Sequence, residues 1–184
     1  VERSRGLGDV YKRQEVKKKL SVMGDKDDFI VAKATNSQAW TISSSLIGTD
    51  TLIGFSRIVF SDGILALDVG VGETAGQAYR LYQAAFARTP DMPGVVYHMN
   101  DMESNGLSIQ QIATNFMASP EFSAKYGLNP TDDDYINALY QNVLGRSAGV
   151  EEVAYYQERF DSGVWDRPQA VSYTHLTLPT ILLV

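Results

Sequence analysis

The chain contains no cysteine, so it has neither disulfides nor thiolate ligands for a zinc site. Histidine is nearly as scarce, and only His98 lies outside residues 171–184. The sequence also lacks a Gly-x-Ser-x-Gly elbow, a phosphate-binding loop and a His-x-x-x-His pair. A packed or surface role explains His98 more simply than proton transfer does. We therefore expect a protein that is not an enzyme.

Long apolar runs and basic clusters are scarce as well. No stretch is long and apolar enough to cross a bilayer, since the final apolar run is only Ile181–Val184. The formal net charge is −6, and the basic run Lys17–Lys19 is short. Binding to a phosphate backbone needs clustered lysine and arginine. We therefore expect neither a membrane span nor a nucleic-acid partner.

The two ends of the chain are related at the level of DNA. The codons GAT-GTG-TAT-AAG-AGA-CAG encode Asp9–Gln14, and their reverse complement, read in another frame, encodes Val171–Leu176. One element in opposite orientations at both ends indicates inserted adapter DNA, and this element resembles the transposon mosaic end of sequencing libraries. We predict that residues 1–14 and 171–184 are adapter-derived and non-native, and that the remainder is a metagenomic fragment.

Residues 15–72 have the pattern of a β-rich segment. Short runs of β-branched and aromatic residues recur between glycines, which favours strands over helices. These runs are Phe29–Ala32, Trp40–Ile42, Arg57–Phe60 and Ile64–Leu67. The last two flank Ser61-Asp62-Gly63, where Asp-Gly suits a tight turn, so they predict a hairpin. Gly70–Thr74 is predicted to be a linker.

The apolar period becomes helical over residues 75–167. Ser108 with Gln111, and Thr131 with Asp134, have the spacing of capping boxes, which mark helix starts. Pro120 at a first helical position marks another start. The predicted helices are residues 75–88, 95–104, a segment after Ser108, a short segment from Pro120 to Gly127, residues 132–145 and residues 149–163.

The helical half contains an internal repeat. Tyr82, Gln83, Arg88, Val95 and Tyr97 recur as Tyr140, Gln141, Arg146, Val153 and Tyr155 at a constant offset of 58 residues. Each unit is predicted to be a helical hairpin with an arginine in its turn, and the two units are predicted to pack together. We expect the arginines to complement carbonyls at helix ends, and the tyrosines, including Tyr156, to lie in the core. The alternative for the tyrosines is an exposed row that binds a glycan or another protein.

The repeat motifs resemble those of a known family. Leu81-Tyr82-Gln83, Arg88–Asp91 and Tyr97-His98 follow its pattern, although His98 stands where tryptophan is usual, and Phe116–Phe122 follows its Phe-x-x-Ser-Pro-Glu-Phe segment. The family is a bacterial domain of unknown function, number four-two-one-four. The second copy also fits well, except that Ser147–Gly149 replaces the Pro-Asp turn.

The β-rich half is similar to another known segment. Gly48–Gly63 resembles the sequence that follows RTX calcium-binding repeats, which reads Asp-x-Leu-x-Gly-Val-Glu-Arg-Leu-x-Phe-x-Asp-Gly. This resemblance implies a secreted or cell-surface bacterial protein of the type I secretion class. The implied partners are the rest of the parent polypeptide and, at the cell surface, a protein or a glycan.

Calcium is the only ion that the sequence suggests, and no other cofactor is indicated. Asp25, Asp27 and Asp28 follow a glycine and offer the hard oxygen ligands that calcium favours. The alternative is an acidic turn before the first predicted strand. Asp132–Asp134 could also attract a cation, although three carboxylates at a helix N-terminus are explained by the helix dipole.

The sequence predicts an α+β chain, with a short β-hairpin or β-roll-end segment followed by an all-α repeat of helical hairpins. The expected function is that of a non-catalytic structural or interaction module in an RTX-type protein. Two alternatives stay open: an accessory domain of a larger extracellular hydrolase, and a scaffold or linker domain, because the repeat is loosely similar to helical phycobilisome linkers.

Overall fold

The computed structural model describes residues 18–35 and 37–176. The chain divides into two compact units, one ending at Leu67 and the other beginning at Asp68. The first is built of strands and the second of α-helices, which confirms the predicted α+β class. None of the described helices is long and apolar enough to span a bilayer.

The β unit consists of two three-stranded sheets. Its strands are β1 (Lys18–Ser21), β2 (Ile30–Lys33), β3 (Trp40–Ser44), β4 (Gly48–Leu52), β5 (Phe55–Val59) and β6 (Ile64–Ala66). The strand orders are β1-β5-β6 and β2-β3-β4, and β1 runs parallel to β5 while the other pairs are antiparallel. The predicted hairpin is present as β5–β6, closed by a 2.8 Å bond from the Phe60 amide to the Gly63 carbonyl.

One apolar cluster holds the β unit together. Ile42 and Ile58 are almost fully buried, and the rings of Phe29 and Phe60 lie 5.5 Å apart beside them. Lys18 and Lys19 are exposed on β1, whereas Lys17 lies outside the described residues. The strands do not follow a strict alternation of buried and exposed residues, since Ser56, Arg57 and Ile58 of β5 are all buried.

The helical unit contains seven described helices. They are α1 (Thr74–Phe86), α2 (Met92–Glu103), α3 (Ile109–Met117), α4 (Pro120–Tyr126), α5 (Asp132–Leu144), α6 (Val150–Asp161) and α7 (Arg167–Leu176). Six match the predicted helices, but α2 begins three residues before the predicted start. Proline is tolerated in the first turn, and the Asp91 carboxylate accepts a 2.7 Å bond from the Gly94 amide, which caps the helix there.

The segment predicted to be a linker is anchored to α1. The guanidinium of Arg80 donates to the carbonyls of Val69, at 3.2 Å, and Gly70, at 2.9 Å. At Gly76 a Cβ would lie 2.4 Å from the Val69 carbonyl oxygen, so only glycine allows this approach. The residues after Leu67 therefore belong to the helical unit.

The two repeats share one hydrophobic core, as predicted. Its buried residues come mainly from α1, α3, α5 and α7, and they include Leu81 and its counterpart Leu139. The helices α1 and α5 pack together, as do α3 and α7, while α2 and α6 bury little apart from Asp101 and Tyr156. Burial on this scale is what stabilises a pair of repeats that would be marginal alone.

The repeat is longer than the predicted helical hairpin. Ser108 and Gln111 form a reciprocal capping box at the start of α3, and Asp166 and Gln169 form another, 58 residues later, at the start of α7. Each unit is therefore three helices, α1–α3 and α5–α7, joined by α4. The helical unit extends beyond Arg167, its expected boundary.

The predicted adapter-derived ends fall mostly outside the described residues, namely residues 1–14 and 177–184. Residues 171–176 form the end of α7, where Val171 is buried in the shared core. The adapter origin stays a prediction, because it concerns the DNA rather than the fold.

Candidate functional site

An arginine bracket closes the turn of the first repeat. Arg88 binds Glu121 of α4 through two bonds, Nε to Oε1 at 2.6 Å and Nη2 to Oε2 at 2.8 Å. Its Nη1 donates to the Thr89 carbonyl at 3.1 Å, and its guanidinium lies 5.0 Å from the Tyr82 ring centre. This combination of a bidentate ion pair and an aromatic face uses the geometry that arginine supplies and lysine does not.

The second repeat has the same bracket with a different carboxylate. Arg146 binds Glu152 of α6 through Nη1 to Oε2 at 2.7 Å and Nη2 to Oε1 at 2.8 Å. Its Nη1 also donates to the Ser147 carbonyl at 3.1 Å, and its guanidinium lies 5.1 Å from the Tyr140 ring. Position 152 corresponds to Gly94 in the first repeat, which has no carboxylate. The carboxylate that pairs with the arginine therefore comes from α4 in the first repeat and from α6 in the second.

Both carboxylates in these brackets are held in the charged form. The hydrogen bonds from Arg146 hold the pKa of the Glu152 carboxyl at about 2. The hydrogen bonds from Arg88 likewise lower the pKa of Glu121. Burial raises the pKa of the Tyr140 hydroxyl to about 12. Charged carboxylates paired with arginine and neutral phenols suit a structural clamp better than proton transfer.

The prediction that the arginines meet the carbonyls at helix ends was wrong for α5, where Arg146 donates to Ser147 beyond the helix, and equally wrong for α1. The three carbonyls of the last turn of α1 accept from other side chains: Asn142 donates to Ala84 and Tyr126 to Ala85, at 2.7 and 2.9 Å, and Lys125 donates to Phe86. Arg88 instead reaches the carboxylate of Glu121. A short helix and the first helix of the next repeat therefore cap α1.

The predicted core tyrosines divide into two groups. Tyr82 and Tyr156 are buried, and Tyr140 is half-buried. Tyr97 and Tyr155 were predicted wrongly, because they are 64% and 40% exposed on the outer faces of α2 and α6. The side chains of Gln83 and Gln141 are also exposed, and it is their backbone carbonyls that accept the bonds ending α1 and α5.

An open cleft of about 350 Å³ lies beside the second bracket. Its lining residues come from α5, α6 and α7 and are Tyr140, Val143, Leu144, Glu151, Glu152, Tyr155, Tyr156 and Tyr173. Aromatic rings continue this surface, since Trp165 lies 5.9 Å from Tyr155 and 4.8 Å from Tyr173, which belongs to the stretch predicted to be adapter-derived. Arg159 covers the Tyr155 ring. Concave, aromatic surfaces with a few charged groups are typical of binding sites.

In the matching region of the first repeat, aromatic rings pack around His98. His98 replaces the second repeat's Tyr156, and its ring packs 4.8 Å from Phe116 and 5.8 Å from Tyr82. Burial lowers the pKa of His98, although Asp101, 3.5 Å from Nδ1, acts in the opposite direction. His98 is therefore a packed ring, in agreement with its sequence interpretation.

The acidic residues proposed for calcium form a turn. The Asp25 amide donates to the Asp28 carboxylate at 3.0 Å, and the Lys26 amide donates to Asp62 at 2.9 Å. Asp27 and Asp28 line an open depression beside the turn that joins β3 and β4. Within residues 18–35 and 37–176, no three side chains of histidine, cysteine, aspartate or glutamate converge as a metal site would require. Calcium binding at Asp25, Asp27 and Asp28 stays a prediction.

The second acidic cluster is used by neighbouring residues. Thr131 caps α5 by accepting from the Asp134 amide at 3.1 Å. Asp132 binds Arg167 at 2.8 Å, and Asp133 accepts from Gln157. The cluster therefore connects the start of α5 with α6 and α7, as the helix-dipole interpretation allowed.

The geometry defines a tandem pair of three-helix units, each closed by an arginine bracket. The chain belongs to the family described as Domain of unknown function (DUF4214), whose model matches twice, over residues 76–122 and 113–172. Both matches include Phe116–Phe122, the segment that carries Glu121. No curated protein and no solved structure matches the chain.

Proposed function

We propose that this chain is a non-catalytic interaction module of a secreted or surface-associated bacterial RTX-type protein. Its contact surface is the open cleft of the second repeat. A single observation carries this proposal: Leu144 is 47% exposed, whereas Phe86, at the equivalent position of the first repeat, is 5% exposed. Exposed apolar and aromatic side chains that converge on one cleft favour a partner.

The paired charges around the cleft support a binding role over catalysis. Glu152 is held by Arg146, and the Tyr140 phenol has a raised pKa. Neither group is prepared to accept or release a proton near neutral pH. Specific contacts need neutralised charges, because an unpaired buried charge opposes association.

A selection experiment tests the contact. A phage library displaying bacterial genome fragments is selected on the immobilised chain, and each enriched clone is measured against Leu144→Lys and Leu128→Lys. Leu128 is 84% exposed and does not line the cleft, so Leu128→Lys is the matched control outside the contact surface. We expect enriched clones to lose at least about tenfold in affinity with Leu144→Lys, equivalent to about 1.4 kcal/mol. Clones that bind both variants equally would contradict this contact surface.

The RTX assignment rests on the similarity of Gly48–Gly63 and has its own test. Sequencing the parent gene upstream of residue 15 should reveal Gly-Gly-x-Gly-x-Asp repeats. Thermal melting with millimolar calcium tests the ion at Asp25, Asp27 and Asp28, since a ligand that binds the folded chain raises its Tm. An unchanged Tm would remove calcium from this segment.

A further inference from the structure

The carboxyl end of α1 is the first-repeat equivalent of the cleft at the end of α5, and another helix covers it. The helix α4 lies there, and its Tyr126 and Lys125 donate to the carbonyls of Ala85 and Phe86. Its Glu121 binds Arg88. The ring of Phe122, also from α4, is buried and lies 6.3 Å from Tyr135 of α5. One short helix therefore completes the first unit and joins it to the second.

The carboxyl end of α5 presents the same surface without such a helix among the described residues. The offset of 58 places Tyr140, Val143 and Leu144 where the first repeat has Tyr82, Ala85 and Phe86. The three first-repeat residues are each at most 5% exposed, whereas their counterparts are half-buried or exposed and line the cleft.

With respect to the described residues, Arg146 retains a binding edge for a further carboxylate. Glu152 occupies its Nη1–Nη2 edge, whereas Glu121 occupies the Nε–Nη2 edge of Arg88. The guanidinium has five donors in a plane, so two carboxylates can bind its two edges at once. The internal pair with Glu152 therefore leaves the edge that α4 uses in the first repeat.

Residues 178–184 stand at the next repeat position, belong to the stretch predicted to be adapter-derived, and do not resemble α4 in sequence. The offset places 178–184 opposite Pro120–Tyr126, and these residues lie outside the described part. Pro179 stands where α4 has Glu121, and Val184 stands where it has Tyr126. The carboxylate and the phenol that contact α1 thus have no counterparts in that stretch.

We propose that the open end of α5 binds a short helix of the α4 kind, supplied by a further repeat unit of the same family. The helix has a carboxylate at its second position, an aromatic ring at its third, and Lys-Tyr at its carboxyl end. This proposal rests on the proposed function and names its partner. Stacking of successive units through such a contact is how a helical array grows.

A graft tests the proposal within the full chain. Residues 177–184 are replaced by a second copy of Ser119–Tyr126, which occupies the same repeat register. The control graft carries Glu121→Gln and Phe122→Ser in that second copy. Tethering gives the helix a high effective concentration, which compensates for its low stability as a free peptide. We expect the native graft to melt at least about 3 °C above the control graft.

Two further measurements identify the contact. Leu144 methyl resonances should shift in the native graft and stay unchanged in the control graft. Arg146→Lys should remove much of the Tm difference when it is introduced into both grafts, because lysine lacks the second binding edge. Arg146→Lys also weakens the Arg146–Glu152 pair, but it does so in both grafts, so this contribution cancels in the Tm difference between them.

The outcomes distinguish the proposed binding of an α4-like helix from the broader proposal that the cleft is a contact surface. Equal Tm values for the two grafts would overturn it, and the phage selection would still decide whether the cleft binds another partner. A chain ending at Leu176 provides a second check. If deletion of residues 177–184 lowers the Tm and exposes Leu144 further, that segment already covers the cleft and the proposal fails.

Discussion

The first and second repeat units have equivalent helices, turns and arginine brackets, yet their carboxyl-terminal surfaces differ. Phe86 of the first unit is buried, with its ring stacked 5.0 Å from Phe116 of α3, whereas Leu144 of the second borders an open cleft. The two units have the same backbone fold because their helix caps and turn residues are set by nearby sequence. Burial depends on the neighbouring helix, so the same repeat can be core on one side and surface on the other.

Gly94 and Glu152 show how the two brackets diverged. A Cβ at Gly94 would lie 2.5 Å from the Tyr82 hydroxyl oxygen, so the first unit has no space for a side chain there. Arg88 consequently takes its carboxylate from Glu121 of α4. The missing side chain thus makes the first bracket dependent on the helix that connects the units.

The largest expected contrast is in the cost of truncating equivalent apolar side chains. Phe86→Ala should lower the free energy of unfolding by about 3–5 kcal/mol, because it removes a buried ring and leaves a cavity. Leu144→Ala should lower it by less than about 1 kcal/mol, since that side chain is half in solvent. Urea unfolding of the full chain measures both. Equal losses would show that the cleft is closed in solution.

The next contrast concerns the bonds that join the units. Asn142 donates to the Ala84 carbonyl and to the Tyr126 hydroxyl, both at 2.7 Å. Asn142→Ala should cost about 1–3 kcal/mol, because it removes a donor shared by two partly buried acceptors. Gln141→Ala, at an exposed neighbour, should stay within about 0.5 kcal/mol. Similar losses at the two positions would argue against this capping contact.

A smaller, opposite pair of effects is expected where α1 and α5 end. Both helices end in the left-handed conformation, at Ala87 with φ 53° and at Gly145 with φ 67°. Ala87→Gly should stabilise the chain by about 0.5–1 kcal/mol, and Gly145→Ala should destabilise it by about 1 kcal/mol. Differential scanning calorimetry would show a raised and a lowered Tm. A decrease for both would mean that chain entropy outweighs backbone strain at Ala87.

The smallest expected effect is a pH dependence confined to the first unit. Burial lowers the pKa of His98 from its ordinary value of 6.5, so the unfolded chain binds a proton more readily than the folded chain. Stability should therefore fall as pH decreases below about 6.5. His98→Tyr, which introduces the residue type of position 156, should flatten Tm between pH 7 and 5. An unchanged slope would assign that dependence to other groups.

The sequence predicted best what is encoded locally. Ser108 with Gln111, Ser119 before Pro120, and Thr131 all cap helices at the predicted positions, because a cap needs only residues within one turn. The repeat offset likewise required no knowledge of tertiary contacts. The first three residues of α2 were not predicted, because proline breaks a helix everywhere except in the first turn, which is where Pro93 lies.

The features that the sequence did not predict depend on distant residues. The carboxylate that pairs with Arg88 lies 33 residues away, on α4, so spacing within the turn could not identify it. The helix α7 was not predicted because residues 171–184 were predicted to be adapter-derived, although Asp166 and Gln169 repeat the capping box of α3 at the known offset. The exposure of Tyr97 and Tyr155 depends on which faces of α2 and α6 pack against the other helices, and the residue spacing alone does not determine this.

The shared core has a consequence for any break in the loop after α4. The helix α7 lies against α1 and α3, so neither half of the chain contains a complete interior. Cleavage beside the exposed Leu128 would divide the helical unit into two pieces, each lacking the surface that the other provides. Their recombination would depend on concentration, as for two subunits, and the family fold would then behave as a split protein whose reassembly can be used as a reporter.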